Sequence, residues 1–128
     1  MKLHNYFRSS ASFRVRIALG LKDLPYEYVP VHLVKGEQNQ EPYASMSSAR
    51  LVPTLVTDTG DQLGQSMAII EYLDETHPEP PLLPRDPLGR ARVRALAQMV
   101  ACEIHPLHNL PGLRDLVRGV EVEGGAEN

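Results

Sequence analysis

Asn5-Tyr-Phe-Arg-Ser-Ser-Ala-Ser-Phe-Arg-Val-Arg-Ile-Ala-Leu19 carries a short apolar run into a helix through two serines. Lys2 to Phe7 reads as a buried strand. Ser12 to Lys22 reads as a helix with Phe13, Ile17 and Leu21 on one stripe. A strand–helix junction of this kind aims hydroxyls and unpaired backbone N–H groups at whatever lies in front of the helix, where the dipole favours an anion such as a carboxylate or thiolate. Ser9 or Ser10 can equally serve as a plain N-cap.

Outward from this junction the chain alternates strands and helices. Lys22-Asp23-Leu24-Pro25 breaks the first helix, and Tyr26 to Val34 reads as a second strand, with Pro30 pointing to an edge or a strand end. Positions 35 to 50 are polar and hold a loop and a short helix. Leu51 to Thr57 is a third strand entered through Val52-Pro53. Asp58-Thr-Gly-Asp61 is a hairpin turn with Gly60 free to take positive φ. A very short strand near Gln62 leads to Gln65 and to Ser66, which is placed as the cap of a helix running to Thr76; His77-Pro78 stops it. The order β-α-β, spacer, β-β-α makes a small mixed sheet with helices against it. Residues 79–87 form a proline-rich linker, and Asp86-Pro87 opens a further helix with Val93, Leu96, Ala97, Val100 and Ile104 at helical spacing. Positions 88–128 read as a partial all-helical unit.

Composition narrows the classes of function. The 128 residues carry 13 basic and 16 acidic side chains, a formal charge of −3, without a basic block, so no footprint for nucleic acid is present. Apolar content of 42% with 23% charged residues is a globular balance. No apolar run reaches bilayer length, no metal-ligand spacing links the five histidines, and one cysteine, Cys102, fits a reducing cytoplasm.

Two helix starts and the exposed backbone ahead of Pro53 make a cradle for a small, extended, anionic peptide. Tyr6 to Leu19, Leu51-Val-Pro-Thr-Leu55, Gln65-Ser-Met-Ala-Ile-Ile-Glu-Tyr-Leu73 and Ala101-Cys-Glu-Ile-His-Pro-Leu-His-Asn-Leu110 together resemble the zeta class of glutathione transferases. That class includes maleylacetoacetate and maleylpyruvate isomerases. The serine pair followed by Arg-Val-Arg-Ile-Ala-Leu is the most class-specific of these motifs, and the resemblance extends to about Leu113.

The resemblance implies an α/β, thioredoxin-like, glutathione-binding domain over residues 1–78, then a truncated all-α domain. It implies glutathione as cofactor, a maleyl keto acid as substrate, and glutathione-dependent cis–trans isomerisation to the fumaryl product. Ser9 and Ser10 become the catalytic pair, with Ser9 on the glutathione sulfur. Ser10, Ala11 and Arg14 line the same pocket. Val52, before a Pro53 expected to be cis, pairs its backbone with the cysteinyl part. Gln65 and Ser66 hold the γ-glutamyl end, Gln38 (or Gln40) reaches glutathione from the loop, and His105 and Asn109 lie near the active site. A homodimer is implied where the helical domain is complete. The alternatives are a general glutathione transferase or peroxidase and a non-catalytic glutathione-binding fragment.

Three departures from the class accompany this. Ala11 stands where many relatives carry cysteine, Met46-Ser-Ser-Ala49 replaces an Asn-Pro turn, and most of the helical domain is absent. Plainer roles stand beside the functional ones. Arg14 and Arg16 project to solvent or meet a substrate carboxylate, and His105 ends a helix before Pro106. Cys102 is a small core residue, and Tyr6 and Tyr72 are packing residues. An exposed stripe of Val93, Leu96 and Val100 predicts self-association.

Overall fold

The computed structural model describes residues 1–107, and the chain divides into two compact units, Met1–Leu82 and Leu83–Asn128. The first unit follows the expected order: β1 (Lys2–Asn5), α1 (Ser10–Leu21), β2 (Glu27–Pro30), α2 (Tyr43–Met46), β3 (Thr54–Val56), β4 (Gln62–Leu63) and α3 (Ser66–Thr76). The four strands form one sheet in the order β2-β1-β3-β4. β1 pairs parallel with β2, placing Leu3 opposite Tyr28, and antiparallel with β3, placing Leu3 opposite Leu55. β3 pairs antiparallel with β4. This is the thioredoxin-like arrangement that the resemblance implied.

Several elements are shorter than their apolar runs. β2 ends at Pro30, which lacks a donor, and Leu33–Lys35 and Glu37–Asn39 turn as 3-10 helices instead of extending the strand. Gly36 between them has φ of 76°, which glycine takes without steric cost. In the hairpin turn Thr57 donates its N–H to the Asp61 carbonyl, and Gly60, at φ 92°, closes it onto Thr57.

One core joins α1 and α3 to the sheet. Leu3 and Leu55 from the strands, Val15, Ala18 and Leu19 from α1, and Ile69 and Leu73 from α3 are all buried in it. The stripe Phe13, Ile17 and Leu21, expected from helical spacing, faces the other way, and these side chains are 45–60% exposed. The face that fits against the sheet and α3 is built from Ala11, Val15, Ala18 and Leu19, its two alanines letting the helix approach closely. A second cluster, Tyr6, Val31, Tyr43 and Val52, fills the space beneath the loop before β3.

Lys22 closes the far end of α1. Its side chain is fully buried, and its ammonium donates to the carbonyls of His77 and Pro80 (2.8 Å) and pairs with Asp74 (2.8 Å). All three donors of the group are thereby used. Asp74 in turn accepts the Leu82 N–H at 2.9 Å, so one ion pair fastens the proline-rich exit of the unit to both helices.

The second unit contains α4 (Pro87–Gln98), which passes through a π-helical segment, Met99–Ile104, into α5 (His105–Leu107). Asp86 caps α4 by accepting the Gly89 N–H at 2.6 Å, with Pro87 in the first turn, as the Asp-Pro step predicts. A Cβ at Gly89 would lie 2.7 Å from the Asp86 carboxylate, so the cap needs glycine there. Val93, Leu96 and Val100 are exposed, and Cys102, expected as a core residue, is exposed too. Cys102 shares the exposure of its neighbours, since no residue of α4 or of the π-helical segment is buried. No helix among the described residues is long and apolar enough to cross a membrane.

Two stability measurements check these contacts. Lys22→Met removes one partner of the buried Lys22–Asp74 ion pair and is expected to cost about 3 kcal/mol in chemical denaturation. His4, stacked on Tyr43 with ring centroids 5.8 Å apart, has its pKa lowered by burial and then by Lys2, against an opposing effect of Glu27. The folded state therefore binds its proton less readily than the unfolded chain. Stability is expected to fall as pH drops through about 6.5, and His4→Gln is expected to flatten that part of the melting-temperature profile.

Candidate functional site

Sheet topology brings two helix starts together. β1 and β4 each run antiparallel to β3, so they point the same way, and α1 and α3 both begin at the same edge of the sheet. Arg14 spans the gap, its Nη2 donating to Ser66 Oγ at 3.0 Å across 52 positions of sequence. Arg14 is thus turned toward the second helix start, whereas Arg16 is committed elsewhere. Arg16 donates to Asn5 Oδ1 at 2.8 Å and lies over the Phe13 ring, securing α1 to the end of β1.

The two starts are finished differently. Ser9 is the N-cap of α1, its Oγ accepting the Ser12 N–H at 3.1 Å. Capping uses a lone pair and leaves the hydroxyl proton available, so the cap and a bond from Ser9 to an anionic ligand are compatible. Ser10 is exposed as the first helical residue and holds a polar interaction of its own, while Ala11 is buried behind it. At α3 the cap expected from Ser66 falls one residue earlier. Gln65 occupies the N-cap position without a side-chain cap bond, and Ser66 begins the helix. Gln65 has φ 65° and ψ 112°, a conformation costing a non-glycine residue about 1–3 kcal/mol. Ser66 is 7% exposed. Neither helix has an acidic residue in its first turn. The edge is rich in donors and suits an anion.

Val52 and Pro53 are buried, and the peptide bond between them is cis. Val52 packs with Tyr6, whose carbonyl accepts the Ser9 N–H at 3.0 Å, so the segment before β3 is tied to the serine junction. Tyr43 and Ser47, absent from the candidate set, hold that segment. Tyr43 donates its hydroxyl to the Leu51 carbonyl and contacts Thr54 Oγ1 at 2.9 Å, and Ser47 Oγ donates to the same carbonyl at 3.2 Å. Burial pushes the Tyr43 phenol up, against the effect of its Thr54 and Ser47 bonds, and keeps it neutral. Ser47 belongs to the Met46–Ala49 departure, and its hydroxyl anchors the loop there.

Gln38 is half-buried, with Oε1 buried and unpaired among the described residues, whereas Gln40 is exposed. No recorded bond joins either to the serine junction. His105 belongs to the second unit, and Asn109 lies outside the described residues. Among the described residues no His, Cys, Asp or Glu cluster could hold a metal.

Residues 3–81 match the family model described as Glutathione S-transferase, N-terminal domain. The chain belongs to the glutathione S-transferase family. It is 53% identical over 111 residues to a maleylacetoacetate isomerase of Pseudomonas aeruginosa, covering 85% of this chain and 52% of that protein. Among solved structures it is similar to the holo form of a maleyl pyruvate isomerase, described as a bacterial glutathione S-transferase of the Zeta class. That similarity has a TM-score of 0.89 and 48% identity, covering 94% of this chain and 57% of the other. A maleylacetoacetate isomerase of Methylobacterium extorquens AM1, solved with malonate and glutathione, gives a TM-score of 0.88 at 42% identity, covering 94% and 56%. The chain thus spans about half the length of the curated relatives it matches.

Ser12, on the inner face of α1, was missed by its motif position. It is fully buried, and its Oγ has no hydrogen-bond partner among the described residues. Ser12→Ala removes an unsatisfied hydroxyl and improves helix propensity, and is expected to raise stability by about 1 kcal/mol in denaturant titration.

Proposed function

We propose that this chain carries the glutathione-binding part of a zeta-class enzyme that isomerises a maleyl keto acid, maleylacetoacetate or maleylpyruvate, to its fumaryl form. The observation that carries the reading is the donor-rich edge where Ser9 and Ser66 sit at paired helix starts joined by Arg14. These groups fit glutathione, a peptide with an anionic γ-glutamyl end and a thiol that must ionise. The naming of the relatives above supports the choice of reaction.

In this reading Ser66, the first-turn N–H groups of α3 and Gln65 hold the γ-glutamyl end. Val52 offers its backbone to the cysteinyl part, and Ser9 turns its hydroxyl proton to the sulfur, with Ser10, Ala11 and Arg14 lining the same pocket. Gln38, His105 and Asn109 complete the proposed set. Bound glutathione supplies a thiolate that adds reversibly to the activated double bond, so that the bond can rotate before elimination. A free thiol has a pKa of about 8.5, and each unit of lowering needs about 1.4 kcal/mol of preference for the thiolate. One hydrogen bond to a charged acceptor contributes about 1.5–3 kcal/mol, enough for Ser9 to supply that shift. A reducing cytoplasm is the setting this chemistry requires. A homodimer belongs to the same proposal, with the exposed Val93, Leu96 and Val100 as a surface available for it.

The test is maleylpyruvate isomerisation by the 128-residue chain, with and without glutathione, beside Ser9→Ala and Ser9→Thr. Turnover is expected to require glutathione and to fall about tenfold or more in Ser9→Ala, matching one unit of thiol pKa, with Ser9→Thr largely active. Conjugation of unrelated electrophiles without isomerisation would favour a general glutathione transferase. Binding without any turnover would overturn catalysis by this chain and leave a glutathione-binding module.

A further inference from the structure

We propose that Tyr43 and Ser47 are positioning residues that aim the Val52 N–H at the cysteinyl carbonyl of glutathione; this rests on the glutathione reading above. Both hydroxyls donate to one acceptor, the Leu51 carbonyl, with Ser47 Oγ at 3.2 Å. A carbonyl oxygen has two lone pairs, so both are taken. The cis peptide bonds fall before Pro42, Pro53 and Pro80, leaving Leu51–Val52 trans. In a planar trans peptide the N–H points opposite to the C=O, so fixing the Leu51 carbonyl also fixes the Val52 N–H. The carbonyl is turned toward the buried Tyr43, and the N–H is therefore turned away from it. No described residue accepts that N–H, although Val52 is only 9% exposed. A backbone donor in so buried a residue is nearly always paired, so this one fits a ligand acceptor.

The same two hydroxyls strengthen the donor they aim. Tyr43 gives its one hydroxyl proton to Leu51, so in the 2.9 Å contact with Thr54 Oγ1 the threonine must donate. Thr54, Tyr43 and the Leu51 carbonyl thus form a directed relay in which each bond polarises the next. An amide that accepts at its oxygen becomes a stronger donor at its nitrogen. Ser47 supplies the second bond from the Met46–Ala49 stretch that departs from the class. A turn returns it to the carbonyl, the Arg50 N–H donating to the Ser47 carbonyl at 2.8 Å with Arg50 at φ 53°. A pair that merely tied the loop down would affect every ligand of the site equally. A positioning pair acts on one functional group, the carbonyl that the Val52 N–H meets.

The experiment is calorimetric titration of the 128-residue chain with glutathione and with an analogue whose Cys-Gly amide is replaced by a trans alkene. The analogue keeps the shape and both carboxylates but offers no cysteinyl carbonyl. The unsubstituted chain is expected to prefer glutathione by about tenfold, the range of one hydrogen bond whose loss leaves a buried donor unpaired. Tyr43→Phe or Ser47→Ala alone is expected to cut the preference to about fivefold, because the other hydroxyl still holds the carbonyl, and the double variant to about twofold or less. Affinity for the alkene analogue is expected to change less than about twofold throughout, since that ligand does not use the N–H. Ser47→Asn, which keeps a side-chain donor, is expected to retain the preference. Should Tyr43→Phe fold poorly, Thr54→Val with Ser47→Ala carries the comparison, expected to cut the preference to about threefold by removing the donor behind Tyr43. Equal weakening of both ligands, a preference untouched by the double variant, or no preference in an unsubstituted chain that binds glutathione overturns the proposal. Failure of the unsubstituted chain to bind glutathione overturns the function proposed above, and this inference with it.

Discussion

The packing of α1 beside α3 on one face of the sheet is the constraint from which the rest of the first unit follows. Val15 and Leu19 from one helix and Ile69 and Leu73 from the other share a core with Leu3 and Leu55. Each such side chain contributes about 1.5–3 kcal/mol on burial, so this cluster outweighs any single polar contact in the unit. Apolar packing fixes which faces meet but tolerates sliding. The polar ties remove that freedom: Arg14 to Ser66 joins the helix starts, and Lys22 to Asp74 joins their ends. Two ties at opposite ends of a parallel helix pair set its register. With the register set, Ser9 and Ser66 must stand at the same edge of the sheet.

Element order was legible from the sequence because each element carries its own punctuation. The serine pair, Pro25, Pro53, Gly60, Pro78 and the Asp86-Pro87 step mark boundaries by local chemistry that tertiary packing did not override, whereas at α3 the cap moved from Ser66 to Gln65. Faces were harder. Phe13, Ile17 and Leu21 have the spacing of a core stripe, yet the core takes Val15, Ala18 and Leu19, a second apolar stripe of the same helix, and only packing against α3 and the sheet chooses between them. Cys102 failed for another reason: its residue type suits a core, and neither α4 nor the Met99–Ile104 segment buries any side chain.

The candidate site divides along the same line. Ser9, Val52, Gln65 and Ser66 are legible because each sits at a junction with its own signal. Tyr43 and Ser47, which hold the Leu51 carbonyl, lie in a polar stretch without periodicity, and nothing local distinguishes them from solvated neighbours. The direction of Arg14 was equally hidden. Its spacing on α1 permits solvent or site, and only the crossing of α1 with α3, a contact between positions 52 apart, decides between them.

Magnitudes indicate which feature of this edge governs anion binding. A helix dipole contributes about 0.3–1 kcal/mol at an exposed terminus and fades beyond the first turn. A hydroxyl or N–H bonded directly to a charged group contributes about 1.5–3 kcal/mol, so specific donors decide affinity and the dipole only adds to them. Ser9 divides its hydroxyl between both tasks, its lone pair serving the helix and its proton left for a ligand. Ser66 makes the same division, with the Arg14 guanidinium where Ser9 has a backbone N–H. The two serines are therefore equivalent in polarity though not in strength. A charged donor stands behind Ser66 and a neutral one behind Ser9. In the function proposed for this chain, the stronger donor serves the end of the peptide that carries a permanent carboxylate, and the weaker one serves the sulfur, which must bind a proton and lose it.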